Sequence, residues 1–217
     1  MDAKKVRVAT VTLSDTRTAE DDEGGALLRE LLAAAGFEVG AHAIVREDPE
    51  VMRAQVQALA IHAGVDAIVL TGGTGIAPRD RAIEVIAPML EKTLDGFGEA
   101  FRRLSWDEIG PNAILSRALA GTINGRVIVA LPGSPKAVRL AVEKLIGPVL
   151  AHAVGLASGR GGHHHGGKKG HAHAEKKGDA HAERHAEKKG DAHAEGHADE
   201  AHGHGDEKGR GAGGGVS

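Results

Sequence analysis

The sequence predicts an α/β domain with a mostly parallel sheet, followed by a low-complexity extension. Short apolar runs alternate with helical apolar stripes over the first three-quarters of the chain, as in βαβ units. Two of these runs, Ala67–Leu70 and Arg126–Leu131, end in glycine- or proline-rich loops just before a helix. Alanine is the only apolar residue from Ser158 to Gly215, too little for a core. We therefore expect a folded domain over residues 1–157 and a disordered tail over residues 158–217.

The first half of the domain reads as two strand–helix pairs. A strand is predicted over Val6–Leu13, and a helical stripe from Leu27 to Ala35 stops at Gly36. A second strand follows over Val39–Val45, and Pro49 suits the first turn of the next helix. That helix is expected to bury Met52, Val56, Leu59 and Ala63.

The second half contains the Ala67–Leu70 strand, three helical stretches and a last strand. Arg79–Arg81 are expected to open a helix whose apolar stripe is Ile83, Ile86, Ala87 and Leu90, and Phe97–Trp106 form another. A mixed segment, Asn112–Ala120, ends at Gly121. After the Arg126–Leu131 strand, one continuous stripe predicts a long buried helix face: Ala137, Val138, Ala141, Val142, Leu145, Ile146, Val149 and Leu150.

The glycine loop after Ala67–Leu70 is the main candidate binding site. It reads Thr71, Gly72, Gly73, Thr74 and Gly75, and glycines at φ > 0 can turn several N–H groups toward one anion. It lacks the spacing of a P-loop or of a dinucleotide fingerprint. Asp80 follows, and a carboxylate beside a phosphate favours a bridging Mg²⁺. The same residues also fit a second interpretation, a tight turn in which Asp80 caps the next helix.

A second loop, Pro132, Gly133, Ser134 and Pro135, follows the Arg126–Leu131 strand. Ser134 is expected to be the N-cap and Pro135 the first residue of the long helix, whose positive end faces this loop. Loops at the carboxyl ends of parallel strands meet at one edge of a sheet. We therefore expect both loops to contact one anionic ligand.

Composition excludes several classes of protein. The net charge is −3, and no basic surface for nucleic acid is indicated. Cysteine is absent, which excludes disulfides. The residues before the first strand include no apolar stretch of signal-peptide length, and no apolar run approaches the ~20 residues that span a membrane. We expect a cytoplasmic protein that contacts neither nucleic acid nor membrane.

Five motifs carry a resemblance to a known family. They are LSDTR (13–17), TGGTG with RD behind it (71–80), GFGEAFRRLSWDEIG (96–110), LSRALAGT (115–122) and LPGSPKAV (131–138). In this order they resemble the molybdenum cofactor biosynthesis protein B/Mog family, and GFGE with EIG resembles the protein B branch. The resemblance implies a three-layer αβα sandwich that forms a trimer or hexamer. It also implies Mg²⁺-dependent transfer of AMP from ATP to the terminal phosphate of molybdopterin, and other molybdenum cofactor biosynthesis proteins as partners.

The resemblance also implies roles for individual residues. Asp80 would be the catalytic carboxylate and Mg²⁺ ligand, and a second acid would be Glu47 or Asp48, where the family usually has Asp. The pterin phosphate would bind Ser116, Gly121 and the 132–135 loop, whereas Asp15 and the turn at Gly24 and Gly25 would line the nucleotide side; the family usually has serine at Gly24. The alternative is a catalytically weak molybdopterin-binding or scaffold protein with a metal-binding tail, and a domain like those of damage-inducible nucleotide-metabolism proteins is a third possibility.

The tail is rich in histidine. Eleven of the 14 histidines follow Ala157, and a twelve-residue unit repeats over 173–196. Closely spaced imidazoles chelate Ni²⁺ or Zn²⁺, and the candidate ligands are His163, His164, His165, His171, His173, His181 and His185. A solubilising extension without a metal-binding role is the other interpretation.

Overall fold

The computed structural model describes Asp2 and residues 6–159. In this part of the chain six strands form one sheet in the order β2-β1-β3-β6-β5-β4. The strands are β1 (Arg7–Leu13), β2 (Glu38–Val45), β3 (Ala67–Thr71), β4 (Lys92–Thr93), β5 (Leu119–Ile123) and β6 (Arg126–Leu131). The first four strands of this order are mutually parallel, whereas β5 is antiparallel to both of its neighbours. The prediction of a mostly parallel α/β sheet is confirmed.

The helices cover both faces of the sheet. They are α1 (Glu23–Ala34), α2 (Pro49–Ile61), α3 (Ala82–Ile86), α4 (Asp95–Ile109), α5 (Pro135–Ala141) and α6 (Gly147–Ala157). Short 3-10 helices follow α3 (Ala87–Met89) and α4 (Gly110–Leu115), and a π-helical turn (Val142–Ile146) joins α5 to α6. The arrangement is the expected three-layer αβα sandwich.

Two apolar cores result because successive strand residues point to opposite faces. In β3, Val69 packs in the core beneath α1, α4 and α5, whereas Ile68 packs in the core beneath α2 and α3. Both side chains are fully buried. A parallel strand covered on both faces is expected to be apolar throughout, which explains the uninterrupted run in this strand.

Several sequence predictions are wrong at the edges of elements. Strands β4 and β5 were not predicted: β4 has two residues, and β5 falls inside the stretch read as mixed and ending at Gly121. Helix α2 ends at Ile61, so Ala63 is exposed and Ala60 is buried in its place. The 79–81 segment precedes α3 rather than opening it, and α3 buries Ala82, Val85 and Ile86, whereas Ile83 of the predicted stripe is only partly buried.

The last helix is continuous from Pro135 to Ala157 but contains the π turn. In that turn the Gly147 N–H donates to the carbonyl of Val142, five residues back, and Pro148 follows without an N–H of its own. The extra residue shifts the buried face to Ile146, Leu150 and Val154. Val149, predicted to be buried, is therefore 53% exposed.

This same helix of 23 residues is long and apolar enough to cross a membrane by length and composition, with a mean hydropathy of 1.5 over an 18-residue stretch. The sequence expectation concerned an uninterrupted apolar run of ~20 residues, and this helix is not one, because charged residues interrupt it at Lys136, Arg139, Glu143 and Lys144. Its buried residues belong to the core that also contains β3 and β6. The core helix of an αβα sandwich can have the same length and composition as a membrane-spanning helix. The packing of this helix in the core with β3 and β6 is typical of such a core helix.

Candidate functional site

The two predicted loops lie side by side where the strand order reverses. After β1 the chain adds β2 on one side and then crosses to place β3 on the other, and ligands of open α/β sheets bind at such a point. The 132–135 loop follows β6, the next strand along. The Gly72 N–H donates to the Leu131 carbonyl (3.0 Å), and the Thr71 hydroxyl donates to the Pro132 carbonyl (3.2 Å).

Glycine is required where these segments approach one another. A Cβ on Gly72 would lie 2.3 Å from the Leu13 carbonyl oxygen, and its φ is +100°. A Cβ on Gly24 would lie 3.0 Å from the Gly133 carbonyl oxygen. The two loops and the first turn of α1 thus approach more closely than side chains would permit.

A cavity of about 530 Å³ opens between these segments. Its lining includes most of the predicted site residues: Gly24, Glu47, Thr71, Gly72, Gly73, Thr74, Gly75, Asp80, Ser116, Pro132, Gly133, Ser134 and Pro135. Sequence reasoning missed the contribution of α4, which supplies Phe101, Ser105, Glu108 and Ile109 to the wall. The volume suits a small-molecule ligand.

The glycine loop presents free donors. The N–H groups of Gly73, Thr74, Gly75 and Ile76 donate to no other described residue. At the second loop, the Ser134 hydroxyl accepts from the Ala137 N–H (3.3 Å), so Ser134 caps α5 as predicted. Unpaired backbone N–H groups in a glycine loop are typical of an anion site.

Glu47 and Asp80 form the acidic part of the cavity. The Oε2 atom of Glu47 is buried and has no hydrogen-bond partner among the described residues, and it lies 3.1 Å from the position of a Cβ on Gly73. Burial raises the pKa of Glu47, and the charges of Asp80 and Asp15 raise it further, whereas Arg79 lowers it. An unpaired buried carboxylate oxygen beside a second carboxylate is a ready cation ligand.

Asp80 does not cap a helix. Its Oδ2 accepts from the Ala77 N–H (2.8 Å) within the loop, and the N-cap of α3 is Arg81, which makes no side-chain cap. The capping interpretation offered for Asp80 in the sequence is therefore wrong. The carboxylate is left at the cavity wall.

The structure separates the two acids that the sequence left as alternatives. Asp48 is the N-cap of α2, where its Oδ1 accepts from the Glu50 and Val51 N–H groups (3.0 and 3.1 Å). Asp48 and Asp15 line a neighbouring pocket of about 320 Å³, and Glu47 lines both cavities. Of the alternatives for the second acid, Glu47 alone reaches the main cavity.

Three further site predictions need correction. Gly24 and Gly25 lie in the first turn of α1 rather than in a preceding turn. Gly25 is buried, and a Cβ there would lie 2.1 Å from Oδ2 of Asp22. Gly121 lies inside β5, where a Cβ would meet the Lys92 carbonyl oxygen at 2.4 Å. Gly121 therefore permits strand packing and does not line the cavity.

A buried polar network at the start of α1 was missed from the sequence. Asp22 accepts from the Thr12 hydroxyl (2.7 Å) and the Gly25 N–H (2.9 Å). Nε2 of His42 lies 3.2 Å from the same carboxylate, and its Nδ1 lies 2.9 Å from the Thr10 hydroxyl. Desolvation and the charge of Arg29 lower the pKa of His42 in spite of Asp22. The spacing between Thr12, Asp22 and His42 offers no sequence signal for this network.

Among the described residues, no group of three or more His, Cys, Asp or Glu side chains could hold a metal ion by itself. Mg²⁺ usually takes only one or two protein carboxylates together with substrate phosphates, so a two-carboxylate site suits that ion. The seven candidate tail histidines, His163 to His185, lie outside the described residues. Their metal binding and the domain boundary at residue 157 stay predictions.

Fold and site together define an α/β protein with a candidate anion site at a strand switch point. Residues 9–152 match the family described as a probable molybdopterin binding domain. The molybdenum cofactor biosynthesis protein B of Bacillus cereus is 48% identical over 150 residues, which are 69% of this chain and 89% of that protein. The chain belongs to this molybdopterin-binding domain family, and the predicted resemblance to its protein B branch is confirmed.

Solved structures agree with this assignment. A crystal structure of molybdenum cofactor biosynthesis protein B superposes with a TM-score of 0.70 at 46% identity, covering 72% of this chain and 98% of that one. The tungsten cofactor synthesizing protein MoaB from Pyrococcus furiosus superposes with a TM-score of 0.63 at 37% identity, covering 70% and 97%. The family match over residues 9–152 does not extend into the tail.

Proposed function

We propose that the protein acts in molybdenum cofactor biosynthesis by transferring AMP from ATP to the terminal phosphate of molybdopterin, with Mg²⁺. The observation that carries the proposal is the unpartnered, buried Oε2 of Glu47 at the cavity wall that Asp80 also lines. A buried carboxylate without a partner is costly. Such a group is retained where a ligand completes it.

Mg²⁺ fits the residues present. Glu47 and Asp80 would hold it, and the remaining ligands would be substrate phosphate oxygens and water. When bound, the ion supplies neutralisation of the charge on the phosphates. Glutamate is one methylene longer than the aspartate usual in the family, and the Oε2 atom of Glu47 lies 3.1 Å from the position of a Cβ on Gly73, beside the glycine loop.

The chain's own groups would position the reactants. A terminal oxygen of the molybdopterin phosphate attacks the α-phosphorus of ATP; one P–O bond forms, the bond to the bridging oxygen breaks, and pyrophosphate leaves with that electron pair. The free N–H groups of the glycine loop would hold phosphate oxygens, with Ser116 and the 132–135 loop on the pterin side. Catalysis by orientation and fixed donors suits such a reaction.

We further propose that the chain acts in the cytoplasm as a trimer or hexamer, alongside other proteins of the pathway. Support for an oligomer comes from exposed apolar residues that cluster in sequence at the end of α4 and in the 3-10 helix after it: Trp106, Ile109, Ile114 and Leu115. Each is 47–68% exposed in the single chain. Contiguous exposed apolar side chains mark interaction surfaces.

The proposal is tested with Asp80→Asn in the full-length chain. We expect loss of at least about 100-fold in the rate of adenylyl-molybdopterin formation, since Asp80 is a proposed ion ligand, with molybdopterin affinity unchanged. Asp107→Asn is the matched control, because it removes only an exposed ion pair with Arg103 on α4. Full activity of Asp80→Asn would refute its role. Absence of product in wild-type protein that binds molybdopterin would favour a binding or scaffold function.

A further inference from the structure

Arg117 lies behind the glycine loop, on the segment between the 3-10 helix and β5. Its guanidinium donates to the carbonyls of Thr74 (3.1 Å), Gly75 (2.6 Å) and Asp80 (3.3 Å). It also forms an ion pair with the Glu84 carboxylate of α3. One side chain thus ties together the end of the glycine loop, Asp80 and the helix that follows.

We propose that Arg117 is a positioning residue that orients the loop's N–H groups toward the phosphates of the substrate. A peptide unit is planar and trans, so the N–H of the next residue points opposite to each carbonyl. Carbonyls of Thr74 and Gly75 held by Arg117 therefore direct the N–H groups of Gly75 and Ile76 away from the guanidinium. These are two of the four loop N–H groups without a described acceptor.

The geometry requires arginine rather than any cation. Nε bonds one carbonyl while Nη2 reaches two others and Oε2 of Glu84, a fan of acceptors that matches the planar fork of a guanidinium. A lysine ammonium is a single point and cannot span them. The Arg117 side chain is 29% exposed, whereas that of Glu84 is 52% exposed, so the loop contacts are the more buried part of this cluster.

Arg117 also connects the two sides of the cavity. The preceding residue, Ser116, lines the cavity, and its carbonyl accepts weakly from Arg102 of α4 (3.4 Å). A movement of the 116–117 backbone would therefore shift the proposed pterin side and the phosphate loop together. This role of Arg117 depends on a phosphate ligand at the loop, and it therefore rests on the proposed function.

The test uses the full-length chain with Arg117→Gln and Arg117→Lys, and Arg103→Gln as an exposed-arginine control. Inorganic pyrophosphate is the probe, titrated calorimetrically with Mg²⁺, and kcat and KM for ATP are measured in parallel. We expect folded Arg117→Gln protein to bind pyrophosphate at least ten-fold more weakly, with Arg117→Lys recovering little of the loss and added guanidinium ion recovering more. The control should match wild type.

Separate outcomes address the two proposals. Wild-type pyrophosphate affinity in folded Arg117→Gln protein, or no pyrophosphate binding by the wild-type chain, would overturn the role of Arg117. Binding that depends on Arg117 without any adenylyl transfer would support this role and refute the proposed reaction. If Arg117→Gln does not fold, Glu84→Gln replaces it: loosening the guanidinium should weaken pyrophosphate binding two-fold or more, and unchanged binding would count against the proposal.

Discussion

Replacing Glu47 by glutamine should make the ligand-free protein more stable while impairing its function. The carboxylate oxygen Oε2 is buried without a partner, and an unsatisfied buried polar group costs roughly 1–3 kcal/mol, more when it is charged, so the neutral amide of glutamine should cost less than the carboxylate. Because the residue as a whole is only half-buried, we expect the lower end, about 1 kcal/mol. For a chain of this size that corresponds to a rise in Tm of about 2–4 °C.

The pH dependence follows from the raised pKa of Glu47. Below the ordinary glutamate value of 4.5 the side chain is protonated in both folded and unfolded states, and wild type and variant should differ little. As the pH rises through the raised pKa, the folded wild type must ionise a buried carboxyl group. Its free energy of unfolding should therefore fall relative to that of Glu47→Gln, and the gap should be complete once the pH exceeds the raised pKa.

The assay is thermal unfolding by circular dichroism from pH 4 to 8, first with a chelator and then with Mg²⁺. Mg²⁺ should stabilise wild type by mass action and Glu47→Gln much less. Glu30→Gln is the control, since Glu30 is exposed on α1 and should change stability by less than about 0.5 kcal/mol. A variant at neutral pH no more stable than wild type would refute the idea of an unpaired buried carboxylate.

Three further predictions concern the loop, the buried network and the tail. Gly72→Ala should destabilise the fold by more than about 1 kcal/mol in urea unfolding, because the φ of Gly72 is +100° and an added Cβ would clash with a backbone oxygen. Gly96→Ala is the control, since Gly96 has open space around it, and equal effects of the two substitutions would contradict the geometry. Wild type should lose more stability than His42→Asn as the pH falls below 6.5, because a depressed pKa favours the neutral ring in the folded state; parallel pH profiles would contradict this. In calorimetry, the full chain should bind Ni²⁺ at neutral pH and release it toward pH ~5.5. A variant with asparagine at the eleven tail histidines should not bind Ni²⁺, and equal heats of binding in the two proteins would show that the tail is not the site.

The central strands and the two loops could be predicted from sequence because local signals and tertiary packing agree there. The run in β3 is apolar throughout, since both faces are covered, and Gly72 and Ser134 stand where their backbone conformations require them. The family motifs then predicted a role for Asp80 as an ion ligand, whereas the local residues alone left helix capping as an alternative. These features are encoded within a few residues of each other.

Features that depend on distant residues could not be predicted. Strand β5 gains its pairing from β6 and β4, while its own residues include Gly121 and no strong alternation. The π turn before Gly147 moved Val149 to the surface by one residue of register. The sequence alone could not show which of Glu47 and Asp48 lines the main cavity. In the structure Asp48 caps α2, and Glu47 lines the cavity.

The most direct test of the account is whether the purified full-length chain forms adenylyl-molybdopterin from ATP and molybdopterin with Mg²⁺, detected by chromatography and mass. We predict one equivalent of pyrophosphate per adenylyl-molybdopterin and no product when Mg²⁺ is chelated. A preparation that binds molybdopterin tightly but forms no adenylyl product at any Mg²⁺ concentration would contradict the proposed reaction.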